Sequence, residues 1–136
     1  MSSRIIPTLR YQDAHAMITW LCSAFGFTRH MVAEDGSGGI AHAQLTLGDG
    51  MLMLGSIRDD EFSRLQSTPA ATGANSQIPY IVVTDVDAVY ETAKAGGAEI
   101  VMAIRDEDYG GRGFSCRDPE GHLWSVGSYD PWVESS

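Results

Sequence analysis

Cysteine is scarce in this chain: Cys22 and Cys116 are the only two, too few for a disulfide framework. Each sits in a regular stretch, "TWLCSAF" and "GFSCRD", so both are expected to be buried reduced thiols. Basic residues are few as well. Lys and Arg total 9 against 18 Asp and Glu, a formal charge of -9, which repels phosphate backbones and leaves no basic stripe. Nucleic acid is therefore not an expected partner, whereas the same field would attract cationic small molecules. No apolar run approaches the roughly 20 residues of a membrane span, so no membrane partner is expected. The start "MSSRIIPTLR" lacks a basic head, apolar middle and cleavage site, which makes a cytoplasmic location the expectation. Also missing are a nucleophile elbow, an arguable Ser/His/Asp set and a phosphate loop: "YGGRG" (109–113) has neither the Lys nor the following helix.

What is present is internal repetition. "IIPTLRYQD" (5–13) returns as "QIPYIVVTD" (77–85), and "GDGMLMLGS" (48–56) answers "PEGHLWSVGS" (119–128). Ile6-Pro7 falls over Ile78-Pro79, Asp13 over Asp85, Gly26 over Gly97 and Gly50 over Gly121, all at an offset of 71 or 72 residues. Each half begins with an extended segment ending at Asp, a favoured helix N-cap. A helix follows, with apolar residues at i, i+3, i+4 and i+7: Met17, Trp20, Leu21 and Ala24 up to Gly26, then Val86, Val89, Tyr90 and Ala93 up to Gly96-Gly97. Three extended pieces complete each half. The chain is thus read as one α+β domain, 1–136, of two tandem βαβββ modules. Module 1 covers about 1–57, a linker about 58–77 whose first part forms a short helix, and module 2 about 78–132. No disordered stretch is expected beyond "VESS" (133–136). One helix covers one sheet face, so the other faces are expected to make a curved sheet around a cleft.

Two such modules, with D-P-E-G (118–121) before the last strand, resemble the vicinal oxygen chelate superfamily of glyoxalase I, extradiol dioxygenases, fosfomycin-resistance and bleomycin-resistance proteins. "YGGRGFSCRDPEGHLWSVGSYDPW" (109–132) is especially similar to the glyoxalase/bleomycin-resistance branch. The resemblance implies a divalent metal held on the cleft face by His and Glu side chains, one from the first strand of each module and one from the last or next-to-last. Here those positions carry Ile6 or Pro7, Pro79 or Ile78, Gln44 in "AHAQLTL" and Ser125 in "HLWSVGS". Ile and Pro offer no lone pair, and neutral Gln and Ser oxygens bind transition metals poorly. The expectation is a cleft without metal and without cofactor.

Period-two alternation from Gln44 and Ser125 brings His42, Thr46 and Leu123 to the cleft face, with Met53 and Met51 as one choice of face in "MLMLG". Core is the favoured reading for the Met pair, as for Trp20 and Trp124. His15, His30 and His122 are expected at the surface or rim. Tyr109, Arg112 and Phe114 come from the Gly-rich stretch "DEDYGGRGF", and loops on a rigid scaffold often recognise ligands. The candidate ligand-binding residues are therefore His42, Gln44, Thr46, Met53, Tyr109, Arg112, Phe114 and Ser125. They point to a metal-independent binder that sequesters an aromatic or cationic compound such as an antibiotic, as the resemblance to bleomycin-resistance proteins implies. Two enzymatic readings stand beside it: a glyoxalase-like lyase or dioxygenase with a rebuilt metal site, and a metal-free isomerase using His42 as general base with Arg112 on an oxyanion. By analogy with bleomycin-resistance proteins, the chain is expected to form a homodimer that covers exposed sheet edges.

Overall fold

The computed structural model describes residues 3–133; of "VESS", only Val133 lies among them. Two compact units divide between Ala74 and Asn75, inside the expected linker.

The first unit runs β1 (Thr8–Tyr11), α1 (Ala14–Phe25), β2 (Thr28–Glu34), β3 (Ile40–Leu47) and β4 (Gly50–Ser56). Asp13 caps α1 by accepting from the Ala16 N–H at 3.1 Å, and Gly26 ends it in the left-handed region, φ 87°, where a side chain would be strained. Met17, Ile18, Leu21, Ala24 and Phe25 bury one side of the helix. Trp20 is only half-buried, its ring edge-on to Phe25 at 5.2 Å. The strands order β1-β4-β3-β2, with β1 parallel to β4 and the other pairs antiparallel. Ala43 and Leu45 of β3 and Leu52 and Leu54 of β4 are buried. Met51 and Met53 alternate with them and are half-buried on the opposite face, so the core placement favoured for this pair gives way to the face away from α1.

The segment after β4 holds a 3-10 turn (Glu61–Arg64) and a single helical turn, α2 (Pro69–Thr72). It lies along the edge of β1, where Gln66 Nε2 donates to the Thr8 carbonyl at 2.9 Å.

The second unit repeats the first with β5 (Tyr80–Val82), α3 (Val86–Ala95), β6 (Glu99–Asp106), β7 (Arg112–Arg117) and β8 (Leu123–Gly127), ordered β5-β8-β7-β6. Asp85 caps α3 through the Ala88 N–H at 3.1 Å. Phe114, Cys116, Trp124 and Val126 form the buried side of this sheet, each at most 4% exposed, and a fully buried side chain of this size contributes about 1.5–3 kcal/mol. Burial lifts the Cys116 thiol to about 12, with the Asp118 charge adding to the effect; Cys22 is half-buried rather than buried.

The D-P-E-G turn has a specific job. The buried Asp118 carboxylate accepts the Glu120 and His122 N–H groups through Oδ1, each at 3.0 Å, and the Trp124 indole Nε1–H through Oδ2 at 3.0 Å. A four-residue turn and the first core residue of β8 are tied by one side chain. His122 is thereby drawn in to 8% exposure, which corrects its expected place at the rim.

Candidate functional site

Register decides which side chains share the face opposite the helices. In the first unit, Thr8 opposes Met53, Met53 opposes Gln44, and Gln44 opposes Met31, giving one row across four strands. In the second, Tyr80 opposes Ser125, Ser125 opposes Ser115, and Ser115 opposes Met102. The two rows correspond member by member at the 71- or 72-residue offset of the sequence repeat.

The first-strand positions resolve accordingly. Pro7 and Pro79 each give a backbone carbonyl to the ladder, accepting from the Met53 N–H at 2.9 Å and the Ser125 N–H at 3.0 Å. Thr8 and Tyr80 are the first-strand residues in the rows, next to the expected Pro7 and Pro79, and Ile78, two residues before Tyr80, also lines the pocket of the second unit. Neither row holds a carboxylate or an imidazole. The hydroxyls of Ser115 and Ser125 bond to each other at 2.9 Å, and no cluster of three His, Cys, Asp or Glu side chains able to hold a metal occurs among the described residues. The donor chemistry of these rows does not fit a divalent transition metal, which needs anionic or imidazole ligands.

On the first unit, His42, Gln44, Thr46 and Met53 do share the open face, all half-buried. His42 Nε2 lies 3.1 Å from the Gln44 amide nitrogen.

The second unit carries a pocket of about 270 Å³. Its floor is the Ser115–Ser125 pair beside Gly113 and Gly127, and three tyrosines wall it: Tyr80, Tyr109 and Tyr129. Tyr109 and Tyr129 meet edge-to-face at 5.0 Å. Tyr80 lies along the sheet over Gly127, where an added Cβ would come within 2.6 Å of its hydroxyl, and that hydroxyl donates to the Tyr129 carbonyl at 2.7 Å. Desolvation, then the neighbouring Tyr109 and Asp130, raise the Tyr80 phenol above its ordinary value, so it remains a neutral donor at physiological pH. The loop that carries Tyr109 turns through Gly110 and Gly111; at Gly111, φ 75°, a Cβ would sit 2.7 Å from the Tyr129 backbone nitrogen.

Two expected site residues behave differently. Arg112 borders the pocket, but its guanidinium is held by Asp87 of α3 at 3.2 Å and Asp106 of β6 at 3.3 Å, and the bond to Asp87, then that to Asp106, raises its pKa further. Its charge is committed to structure, which leaves little for an oxyanion. Phe114 borders the pocket too, yet its ring is 4% exposed and packs at 4.9 Å against Tyr90 of α3. It stands one residue from Ser115 and so faces the helix, a correction of its expected place in the cleft.

Sequence reasoning placed Tyr109 and Ser125 here and missed Tyr80, Tyr129, Ser115 and Met102. The signal for three of these was available: shifting Thr8, Gln44 and Met31 by the repeat offset lands on Tyr80, Ser115 and Met102.

Residues 5–126 match the family model for the Glyoxalase/Bleomycin resistance protein/Dioxygenase superfamily. An uncharacterized protein of Mycobacterium bovis is 31% identical over 121 residues, 89% of this chain and 80% of that protein. Among solved structures, TioX from Micromonospora sp. ML1 superposes with a TM-score of 0.72 at 30% identity, over 93% of this chain and 98% of that one. The bleomycin-binding protein from bleomycin-producing Streptomyces verticillus, solved with copper(II)-bleomycin, shares the fold with a TM-score of 0.63 at 20% identity, over 96% of this chain and all 100% of that one.

Proposed function

The chain belongs to the Glyoxalase/Bleomycin resistance protein/Dioxygenase superfamily, and from that premise we propose that it is a metal-independent binder that sequesters an aromatic or cationic small molecule, such as an antibiotic, without transforming it. The observation that carries this reading is the pair of open-face rows. Where a metal enzyme of this family would present carboxylates and imidazoles, this chain presents Ser115 bonded to Ser125 and an amide, Gln44, touching His42. A tyrosine-walled pocket stands directly over the serine pair. Tyrosine faces attract flat rings and cations, the latter by about 0.5–2 kcal/mol per ring. The carboxylate of Asp130, close enough to act on Tyr80, adds to that attraction, whereas Glu107 at the pocket wall is paired with Arg105 at 3.3 Å. The family likeness to a protein solved with copper(II)-bleomycin supports the same class of guest.

The metal-free isomerase reading has less behind it. His42 meets the Gln44 amide at 3.1 Å, and Arg112 is neutralised by two carboxylates. A dimer belongs to the proposal: every residue of the edge strand β2 is exposed, as are six of the eight in β6, and Met31, Val32, Val101 and Met102 on them are 38–44% exposed, a surface that natural sheets cover or blunt. Two free cysteines fit a reducing compartment such as the cytoplasm. A thermal-shift panel of flat aromatic cations, bleomycin and divalent metals tests the core of the reading, because a guest that binds only the folded state raises its melting temperature. Stabilisation by organic guests and none by metals is the expected pattern; stabilisation by metals alone would overturn it.

A further inference from the structure

The floor of the tyrosine pocket carries a hydroxyl pair whose own bonding leaves it incomplete. Given the sequestering role proposed for this pocket, we infer that its guest is a flat ring whose leading edge sets a hydrogen-bond acceptor beside an N–H or O–H donor, and that Ser115 and Ser125 read that edge together. The two residues face each other across β7 and β8, the inner strands of the order β5-β8-β7-β6, so the sheet fixes their spacing. Their oxygens are 2.9 Å apart, and either can be the donor. Whichever donates, one hydroxyl proton is used between them and the other is left over, together with lone pairs on both oxygens. Among the described residues neither hydroxyl has a second partner.

The other polar side chains of the pocket are engaged elsewhere. The Tyr80 hydroxyl donates to the Tyr129 carbonyl at 2.7 Å, Arg105 pairs with Glu107, and Arg112 pairs with Asp87 and Asp106. Tyr109 and Tyr129 are exposed, so water can serve their hydroxyls. The next pair along the floor is Gly113 with Gly127, which adds no side chain. A ring entering between the tyrosines therefore displaces water from the serine pair and meets a free proton and free lone pairs on adjacent oxygens. An edge with an acceptor next to a donor closes these into a ring of hydrogen bonds: the guest donor to one serine, that serine to its partner, and the partner's proton to the guest acceptor. Either direction of the serine bond serves, and each bond polarises the next. A hydrocarbon edge leaves the proton without an acceptor once water is gone, and that penalty is what makes hydrogen-bonding sites selective. The volume of about 270 Å³ lies just below the roughly 300–1,000 Å³ of drug-sized sites, so the pocket takes a one- or two-ring unit.

The test uses the full chain at neutral pH, with three uncharged probes competing against proflavine. 7-Azaindole has the acceptor beside the donor, indole has only the donor, and 1-methyl-7-azaindole has only the acceptor. 7-Azaindole is expected to bind about tenfold more tightly than either analogue and to shift the Ser115 and Ser125 amides in NMR spectra. Changing Ser115→Ala and Ser125→Ala together removes both partners of one bond, so the fold should persist by circular dichroism, while the three probes become equal to within about twofold. The probes compared on the intact chain decide the question even where the double variant is destabilised. Equal affinities for the intact chain, no displacement of proflavine by 7-azaindole, a preference that survives in the folded double variant, or shifts confined to other strands would each overturn the inference while leaving the sequestering role standing. Failure of proflavine itself to bind would overturn that role and this inference with it.

Discussion

Replacing Asp118 with Asn tests whether one carboxylate ties the D-P-E-G turn to the core of β8. Asn keeps Oδ1, so the bonds from the Glu120 and His122 N–H groups, each 3.0 Å long, can survive. The second oxygen, however, becomes an NH2 group facing the Trp124 indole N–H, 3.0 Å from the present Oδ2. Two donors then meet where Trp124 is 1% and Asp118 4% exposed. A hydrogen bond to a charged group is worth about 1.5–3 kcal/mol, and a buried donor left without an acceptor costs about 1–3 kcal/mol. A destabilisation of about 2–4 kcal/mol follows, which for a chain of this size lowers Tm by roughly 6–14 °C. Trp124→Phe removes the same bond from the other side. If the bond is the cause, the double variant loses about 1–2 kcal/mol less than the two single variants together. Urea unfolding followed by far-ultraviolet circular dichroism measures all four proteins without relying on Trp124 emission. A loss below about 0.5 kcal/mol for Asp118→Asn, or strict additivity in the cycle, would refute the clamp.

Other expectations follow from the same geometry. Tyr109→Ala removes a ring that is 63% exposed, so stability should change by no more than about 0.5 kcal/mol, while affinity for an aromatic cation such as proflavine falls about 5- to 10-fold by fluorescence titration. Cys116 ionises in the unfolded chain near 9.0 and in the folded one at about 12, so its neutral thiol contributes its full stability below pH 9. That contribution is lost between pH 9 and 12 at up to about 1.4 kcal/mol per unit, and Cys116→Ala should flatten the slope in alkaline urea titrations. In the same folded protein, a thiol reagent at pH 8 should label the half-buried Cys22 and spare Cys116. Light scattering should give twice the monomer mass, and a monomer would contradict the dimer drawn from the exposed edges of β2 and β6.

The repeat, the two N-caps and the helix-to-strand order were legible because each rests on local chemistry: Asp13 and Asp85 satisfy helix starts, Gly26 closes α1, and the apolar spacing follows helical geometry. The choice of face in β7 was harder. Phe114 looked like a recognition residue in a Gly-rich stretch, but β7 begins at Arg112 and alternation turns the Phe114 ring toward Tyr90. Met51 and Met53 were equally ambiguous, since both faces of β4 carry apolar residues and only the pairing with β3 separates Leu52 and Leu54 from them. The partners of Arg112 could not be read from the sequence, because Asp87 is 25 residues away along the chain. The Asp118–Trp124 bond could have been anticipated, since a carboxylate in a tight turn six residues before a buried indole has few other acceptors to compete with it.

The central claim is that the open faces hold an organic guest without metal and release it unchanged. Protein stripped by chelator, confirmed metal-free by elemental analysis, should bind proflavine, the flat cation, at one per chain in equilibrium dialysis. It should bind the neutral ring acridone more weakly, and mass spectrometry should recover the dye intact. Loss of binding on stripping with recovery on adding a divalent metal, or a modified product in the recovered pool, would contradict the claim.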